Sequence, residues 1–81
     1  MRIHRVRSQI IRGIGYDEDR QYLWIEYHGR PGGRLYREVP PHVFDDIMQA
    51  SPIDAYANHV LRDYPSDYRS SPPDTTASSS C

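Results

Sequence analysis

Arginine and aromatic residues alternate in the segment from Gly29 to Phe44, which reads GRPGGRLYREVPPHVF. The planar guanidinium of arginine pairs with phosphate through two hydrogen bonds, and exposed aromatic rings stack on nucleobases. Tyr, Trp and Arg are also the residue types that dominate protein–protein contacts. The segment and its surroundings therefore predict a binding surface made of eight residues: Arg7, Arg12, Tyr22, Trp24, Arg30, Arg34, Tyr36 and Arg37.

The other polar residues show no pattern typical of catalysis or metal binding. The acidic run from Asp17 to Asp19 lacks the ligand count of a calcium loop, and we interpret it as a turn that the Asp17 carboxylate closes. The four histidines have neither i, i+4 spacing nor a Cys partner, which argues against zinc. Gly32-Gly33 matches no nucleotide-binding fingerprint and predicts a hairpin turn. We expect no enzyme activity, no cofactor and no metal.

Charge is uneven along the 81 residues. Residues 1–37 hold eight Arg and four acidic residues, a net charge of +4, whereas residues 38–81 hold two Arg and seven acidic residues, a net charge of −5. A total of −1 argues against strong nonspecific binding to nucleic acid, which depends on neutralising phosphates. The chain has no apolar run of membrane-spanning length and a single cysteine, Cys81, so we expect a cytoplasmic protein without membrane contact.

Three segments rich in β-forming residues precede two segments with helical periodicity. The predicted strands are residues 8–16, 22–28 and 34–39, joined by short polar or glycine-rich turns. Gly13 and Gly15 in the first strand predict a bulge or the close approach of another backbone. The aliphatic set Leu23, Ile25, Leu35 and Val39 is expected to pack under the helices, which would leave an outward-facing set of Tyr22, Trp24, Arg34 and Tyr36.

Prolines mark the start of both predicted helices. Pro40-Pro41 ends the sheet and opens a helix that carries Val43 and Ile47 on one face. Ser51-Pro52 predicts the N-cap and first position of a second helix, with an apolar stripe of Ile53, Tyr56, Val60 and Tyr64. The predicted fold class is α+β, with a small three-stranded antiparallel sheet in the order β-β-β-α-α and two helices packed on one face.

The predicted domain spans residues 1–65, and residues 66–81 form a predicted disordered tail rich in Ser, Pro and Thr. A domain of about 65 residues buries only about 60% of its unfolded surface, so a homodimer or a bound partner would stabilise it.

The order of these landmarks resembles the KTSC domain, a short module named for the C-terminus of some lysyl-tRNA synthetases and also found as a stand-alone bacterial or phage protein. The resemblance covers residues 6–65 and rests on Ser8, Ile11, Gly15-Tyr16-Asp17, the strand Leu23 to Tyr27 with Gly29, Tyr36, Val39-Pro40, Val43-Phe44, Ala50-Ser51, His59-Val60 and Tyr64. Arg34 stands where the family has the first tyrosine of a Tyr-x-Tyr motif. The resemblance implies the α+β fold and a binding role toward RNA.

Two functions therefore compete. The first is a small non-catalytic module that binds RNA or tRNA through a basic aromatic sheet face. The alternative is a protein-interaction or phage accessory module that docks on another protein through the same face. The two differ in salt dependence, because phosphate contacts weaken steeply with salt.

Overall fold

Two helices pack on one face of an antiparallel sheet in the computed structural model of the protein, which describes residues 2–72. The α+β class and the two helices agree with the prediction, but the sheet has five strands rather than three. The strands pair in chain order, each with the next. The elements are β1 (Ile3–Arg5), β2 (Ile11–Asp17), β3 (Tyr22–Tyr27), β4 (Gly33–Tyr36), α1 (Pro41–Gln49), α2 (Ile53–Leu61) and β5 (Ser66–Arg69).

The glycine and turn predictions at β2 are confirmed. The pairing of β2 with β3 is irregular between Ile11 and Gly13, as in a bulge. A Cβ atom on Gly13 would lie 2.8 Å from the Cγ2 atom of Ile3, so glycine here permits the close approach of β1. In the next turn the backbone N–H groups of Asp19 and Arg20 donate to Oδ1 of Asp17, at 3.1 and 3.4 Å. Asp17 therefore closes the turn between β2 and β3.

The register of β3 and β4 contradicts the predicted faces of the sheet. Leu23 pairs with Tyr36 and Trp24 pairs with Leu35, so Tyr36 lies on the helix side and Leu35 on the outer side. Val39 still reaches the core, because Glu38 has a φ of 61° and interrupts the strand alternation before it. The alternation within each strand is as predicted; the error was in how the two strands align, which alternation alone does not determine.

The core lies between the helices and the helix side of the sheet. The helices contribute Val43 and Ile47 from α1 and Ile53, Ala57 and Leu61 from α2. Against them pack Ile14, Leu23, Ile25, Tyr36 and Val39.

The start and the buried stripe of α2 differ from the prediction. The helix begins at Ile53 with Pro52 as its N-cap residue, and no side chain caps it. Its buried residues follow an i, i+4, i+8 spacing, and Tyr56 is 37% exposed. Within residues 2–72 neither helix is long and apolar enough to cross a membrane.

The predicted disordered tail begins with a strand. Residues 66–69 form β5 and pair with β4, with Leu35 opposite Asp67 and Arg34 opposite Tyr68. The Arg37 guanidinium contacts the Asp67 carboxylate at 2.8 Å. The prediction of disorder from Ser66 is therefore wrong for these residues. The rest of that prediction, including Cys81, concerns residues 73–81, which lie outside the described part of the chain.

Candidate binding groove

An open groove of about 660 Å³ lies on the helix side of the sheet, where β4 and β5 meet the end of α2. Three arginines line it: Arg30, Arg34 and Arg62. Four tyrosines line it as well: Tyr27, Tyr36, Tyr64 and Tyr68. Asn58, Leu61 and Ser66 complete a lining that contains no Asp or Glu. We call this site the arginine–tyrosine groove.

Each arginine of the groove comes from a different element. Arg34 lies on β4 opposite Tyr68, and its Nη1 donates to Oγ of Ser66 at 3.1 Å. Arg30 lies in the loop between β3 and β4, and Arg62 is the C-cap residue of α2, where a cation complements the helix dipole. The packing of α2 on the sheet brings Arg62 near the other two arginines, and β5 adds Ser66 and Tyr68 to the same groove.

The charge of the groove is not compensated by neighbouring carboxylates. The ion pairs within residues 2–72 are Arg12 with Glu26 and Arg37 with Asp67, and neither involves an arginine of the groove. Three guanidinium groups thus face a shared space without a partner anion, an arrangement that attracts phosphate or carboxylate ligands.

Tyr68 connects the strand and the loop that form the groove. Its side chain is 51% exposed, and its hydroxyl donates to the carbonyl oxygen of Pro31. The contact ties β5 to the loop that carries Arg30. A half-exposed ring beside three arginines can stack on a planar ligand, which is how aromatic residues bind unpaired bases.

Tyr36 forms the floor of the groove and is 8% exposed. Burial, followed by the neighbouring Tyr27 hydroxyl, raises the pKa of Tyr36 to about 12, while Arg34 acts in the opposite direction. The hydroxyl is therefore neutral at physiological pH and can act as a hydrogen-bond donor.

We predict that the protein loses stability above pH 10 because of Tyr36. The folded state keeps the Tyr36 proton up to a pKa of about 12, whereas the unfolded chain releases it near 10. The contribution of Tyr36 to the free energy of unfolding is complete below pH 10 and is lost as the pH rises toward 12. We expect the free energy of unfolding to be about 1.4 kcal/mol lower at pH 11 than at pH 9. Urea unfolding at the two pH values measures it, and Tyr36→Phe should show a smaller loss than the parent protein. Equal losses would contradict the assignment to Tyr36.

Three of the eight predicted site residues lie together in the groove: Arg30, Arg34 and Tyr36. Arg7 is exposed beside a separate surface depression near the start of α2, and Tyr22 is half-buried opposite Asp17.

The other three lie on the outer side of the sheet. Arg12 and Arg37 each lie beside a carboxylate, as described above. Trp24 is 0% exposed, and its Nε1 donates to Oε2 of Glu26 at 3.0 Å. Trp24 lies on the outer side of the sheet, as predicted, but it is buried rather than exposed, so its ring is not available for stacking on a base in this fold. The predicted exposure of Tyr36 is also wrong, for a different reason: the register of β4 places Tyr36 on the helix side, against the core.

The sequence predictions missed the residues that follow α2. Arg62, Tyr64, Ser66 and Tyr68 supply much of the groove, yet they lie at or beyond the end of the predicted domain. The one available signal was the tyrosine and arginine content of YPSDYR, which repeats the composition of β4 within a segment otherwise rich in Ser and Pro.

Comparison with known proteins identifies the family of this fold. Residues 7–64 match the KTSC domain. A protein of Tsukamurella paurometabola is 37% identical over 57 residues, which is 70% of this chain and 84% of that protein. A protein of Stutzerimonas stutzeri is 33% identical over 66 residues, 79% of this chain and 86% of that protein. The crystal structure of a KTSC domain protein from Yersinia pestis superposes with a TM-score of 0.78 at 25% identity, covering 84% of this chain and 96% of that one. The match over most of the chain, at the sequence and the structural level, shows that this protein belongs to the KTSC domain family.

Proposed function

We propose that the protein is a small non-catalytic module that binds RNA through the arginine–tyrosine groove. The observation that carries the proposal is the lining itself: three arginines without a carboxylate partner and four tyrosines converge on one open groove. Guanidinium groups would hold successive phosphates, and Tyr68, the half-exposed ring, would stack on a base. The groove is open to solvent, which suits the binding of an RNA strand better than it suits a reaction that must exclude water.

RNA is favoured over duplex DNA by the shape and the size of the site. Proteins recognise unpaired bases in RNA by stacking them on aromatic side chains, whereas duplex DNA hides its base faces. Three phosphate contacts to a single strand predict a slope of about −2 for log K against log[salt]. We further propose that the protein meets its RNA, such as a tRNA, in the cytoplasm.

Fluorescence anisotropy of labelled single-stranded RNA and tRNA tests the proposal. We expect micromolar binding at low salt that weakens steeply toward physiological salt. Arg34→Ala should weaken binding about tenfold, the effect of losing one charge-assisted contact. Arg7→Ala removes the same charge outside the groove and is expected to change the affinity less than twofold, so it serves as the matched control.

Two results would contradict the proposal. The absence of binding even at low salt would exclude RNA and would favour the second candidate, docking on another protein, in which the same arginines would pair with surface carboxylates. An equal loss of RNA affinity in the two arginine variants would exclude the groove as the binding site.

A further inference from the structure

A second cavity adjoins the arginine–tyrosine groove. It measures about 350 Å³ and lies between α2 and the start of β2. Aliphatic side chains make up most of its wall, namely Ile10, Ile11, Ile25, Ala55 and Ala57. We call it the isoleucine cavity. Ile10 is 55% exposed, so a ligand in the cavity can contact its side chain.

The two cavities share Tyr27, Tyr36 and Asn58 as a common wall. The two spaces are therefore adjacent, and a ligand that extends from the groove past these residues would reach the apolar space. One compartment is cationic and the other is apolar, so the ligand that uses both has an anionic part and an apolar part within a single small unit.

We propose that the two cavities together hold one nucleotide of the bound RNA, with its phosphate on the arginines of the groove and its base in the isoleucine cavity. The proposal rests on the RNA-binding function proposed above and adds where the base lies. The base would contact the Tyr27 side chain and the aliphatic wall, and the Asn58 amide would hydrogen-bond its edge.

Charge determines the orientation of the nucleotide. Asp54 is the acidic residue in the lining of the isoleucine cavity, whereas the groove has none. A phosphate in the isoleucine cavity would face the Asp54 carboxylate, while in the groove it meets three arginines. The phosphate thus belongs in the groove and the base in the cavity.

A nucleotide fits these features better than the C-terminus of a peptide. A terminal carboxylate brings one negative charge to three arginines, whereas an RNA strand brings a phosphate for each nucleotide. An aliphatic side chain would fill the cavity without using the Asn58 amide or the Asp54 carboxylate in its wall, whereas a base edge offers hydrogen-bond donors and acceptors to both.

Amide NMR of the full chain tests the placement of the base. The probes are cytidine 5′-monophosphate and ribose 5-phosphate, which share the phosphate and the sugar and differ in the base. We expect both probes to shift the amide signals of Arg34 and Ser66 in the groove. Only the cytidine nucleotide should also shift Ile11, Ala55 and Ala57, which line the isoleucine cavity alone.

A cavity-filling variant provides the second measurement. Ala55 is exposed on α2, so Ala55→Leu narrows the cavity without disturbing the core, whereas His59→Leu adds the same apolar side chain on α2 outside both cavities. Ala55→Leu should lower the affinity for the nucleotide about tenfold, the effect of losing one base-stacking contact, and should leave the affinity for ribose 5-phosphate unchanged. His59→Leu should change neither affinity.

The failures of the two proposals are distinguishable. Nucleotide shifts confined to the groove, or equal affinities in Ala55→Leu and the parent chain, overturn the base site and leave RNA binding intact. No shift in the groove with either probe overturns RNA binding itself. Stronger shifts in both cavities with a short peptide that ends in leucine overturn the nucleotide as the ligand and identify a peptide instead.

Discussion

A chain that ends at Pro65 is expected to lose a large fraction of its stability and most of its RNA affinity, whereas a chain that ends at Pro72 is expected to keep both. The shorter chain lacks β5, whose four residues pair with β4. Without it the Arg37 guanidinium also loses Asp67, and Arg34 loses its hydrogen bond to Ser66. Every one of these contacts remains in the longer chain.

We expect the free energy of unfolding of the chain that ends at Pro65 to fall by about 3 kcal/mol. Each backbone hydrogen bond of the lost ladder contributes about 1 kcal/mol, and the ion pair adds little because both of its side chains are more than a third exposed. A domain of this size has a total stability of about 4–10 kcal/mol, so the loss is a large fraction of it. The affinity falls as well, because Ser66 and Tyr68 are part of the groove.

Urea unfolding followed by circular dichroism measures the first effect, and RNA anisotropy measures the second. The chain ending at Pro72 is the control for removing tail residues as such. Equal unfolding midpoints for the two truncated chains would mean that β5 contributes no stability, as the prediction of a disordered tail from Ser66 implied.

The strand β5 shows where composition fails as a guide to structure. Ser66, Asp67 and Arg69 are polar, aspartate is depleted in strands, and a segment so polar cannot form a strand by itself. It is ordered because it pairs with the free edge of β4 and because the Asp67 carboxylate contacts the Arg37 guanidinium. Both partners belong to a distant part of the chain, so nothing local to residues 66–69 indicates them.

The register of the sheet was unpredictable for a related reason. Alternation placed Leu23 and Ile25 on one face of β3 correctly, and the same reasoning grouped Leu35 with them on β4. The actual pairing moves β4 by one residue, which exchanges Tyr36 and Leu35 between the two faces. Several predictions that depend on one segment alone succeeded, since the Asp17 turn, the bulge at Gly13 and the proline that opens α1 are all present. The Ser51 cap and the buried stripe predicted for α2 are exceptions.

The candidate site was predicted only where its residues belong to one segment of the chain. Arg30 and Arg34 lie in the segment that the sequence singled out, and the structure places both in the groove. Arg62 and Tyr68 join them only through the packing of α2 and β5, which are separated from β4 by α1 and its flanking segments. Convergence of that kind is a property of the fold, and the tyrosine and arginine content of YPSDYR is its only trace in the local sequence.

Trp24→Ala is expected to cost about 3–5 kcal/mol of stability, the usual effect of truncating a buried tryptophan, and thus to unfold much of the protein. The indole is fully buried on the outer side of the sheet, where Trp24 is in register with Leu35. A Cβ atom on Gly33 would lie 2.9 Å from its Cζ2 atom, so the ring packs over a glycine that leaves room for it. The indole N–H donates to Glu26, which in turn lies 3.7 Å from Arg12.

Trp24→Phe separates the structural role of this residue from a role in binding. Phenylalanine keeps an aromatic ring in the buried site and loses the hydrogen bond to Glu26, so we expect a smaller loss of stability and a folded protein. Its RNA affinity should match that of the parent chain within twofold, because the ring lies on the side of the sheet opposite the groove. Arg34→Ala, measured beside it, should bind about tenfold more weakly while its unfolding midpoint hardly changes, since Arg34 is exposed and unpaired with any carboxylate in residues 2–72. The opposite pattern, in which Trp24→Phe loses RNA affinity and Arg34→Ala retains it, would move the binding surface to the outer side of the sheet. The contrast between two single substitutions thus decides which face of the sheet meets the ligand, because one residue supports the fold and the other is free to bind.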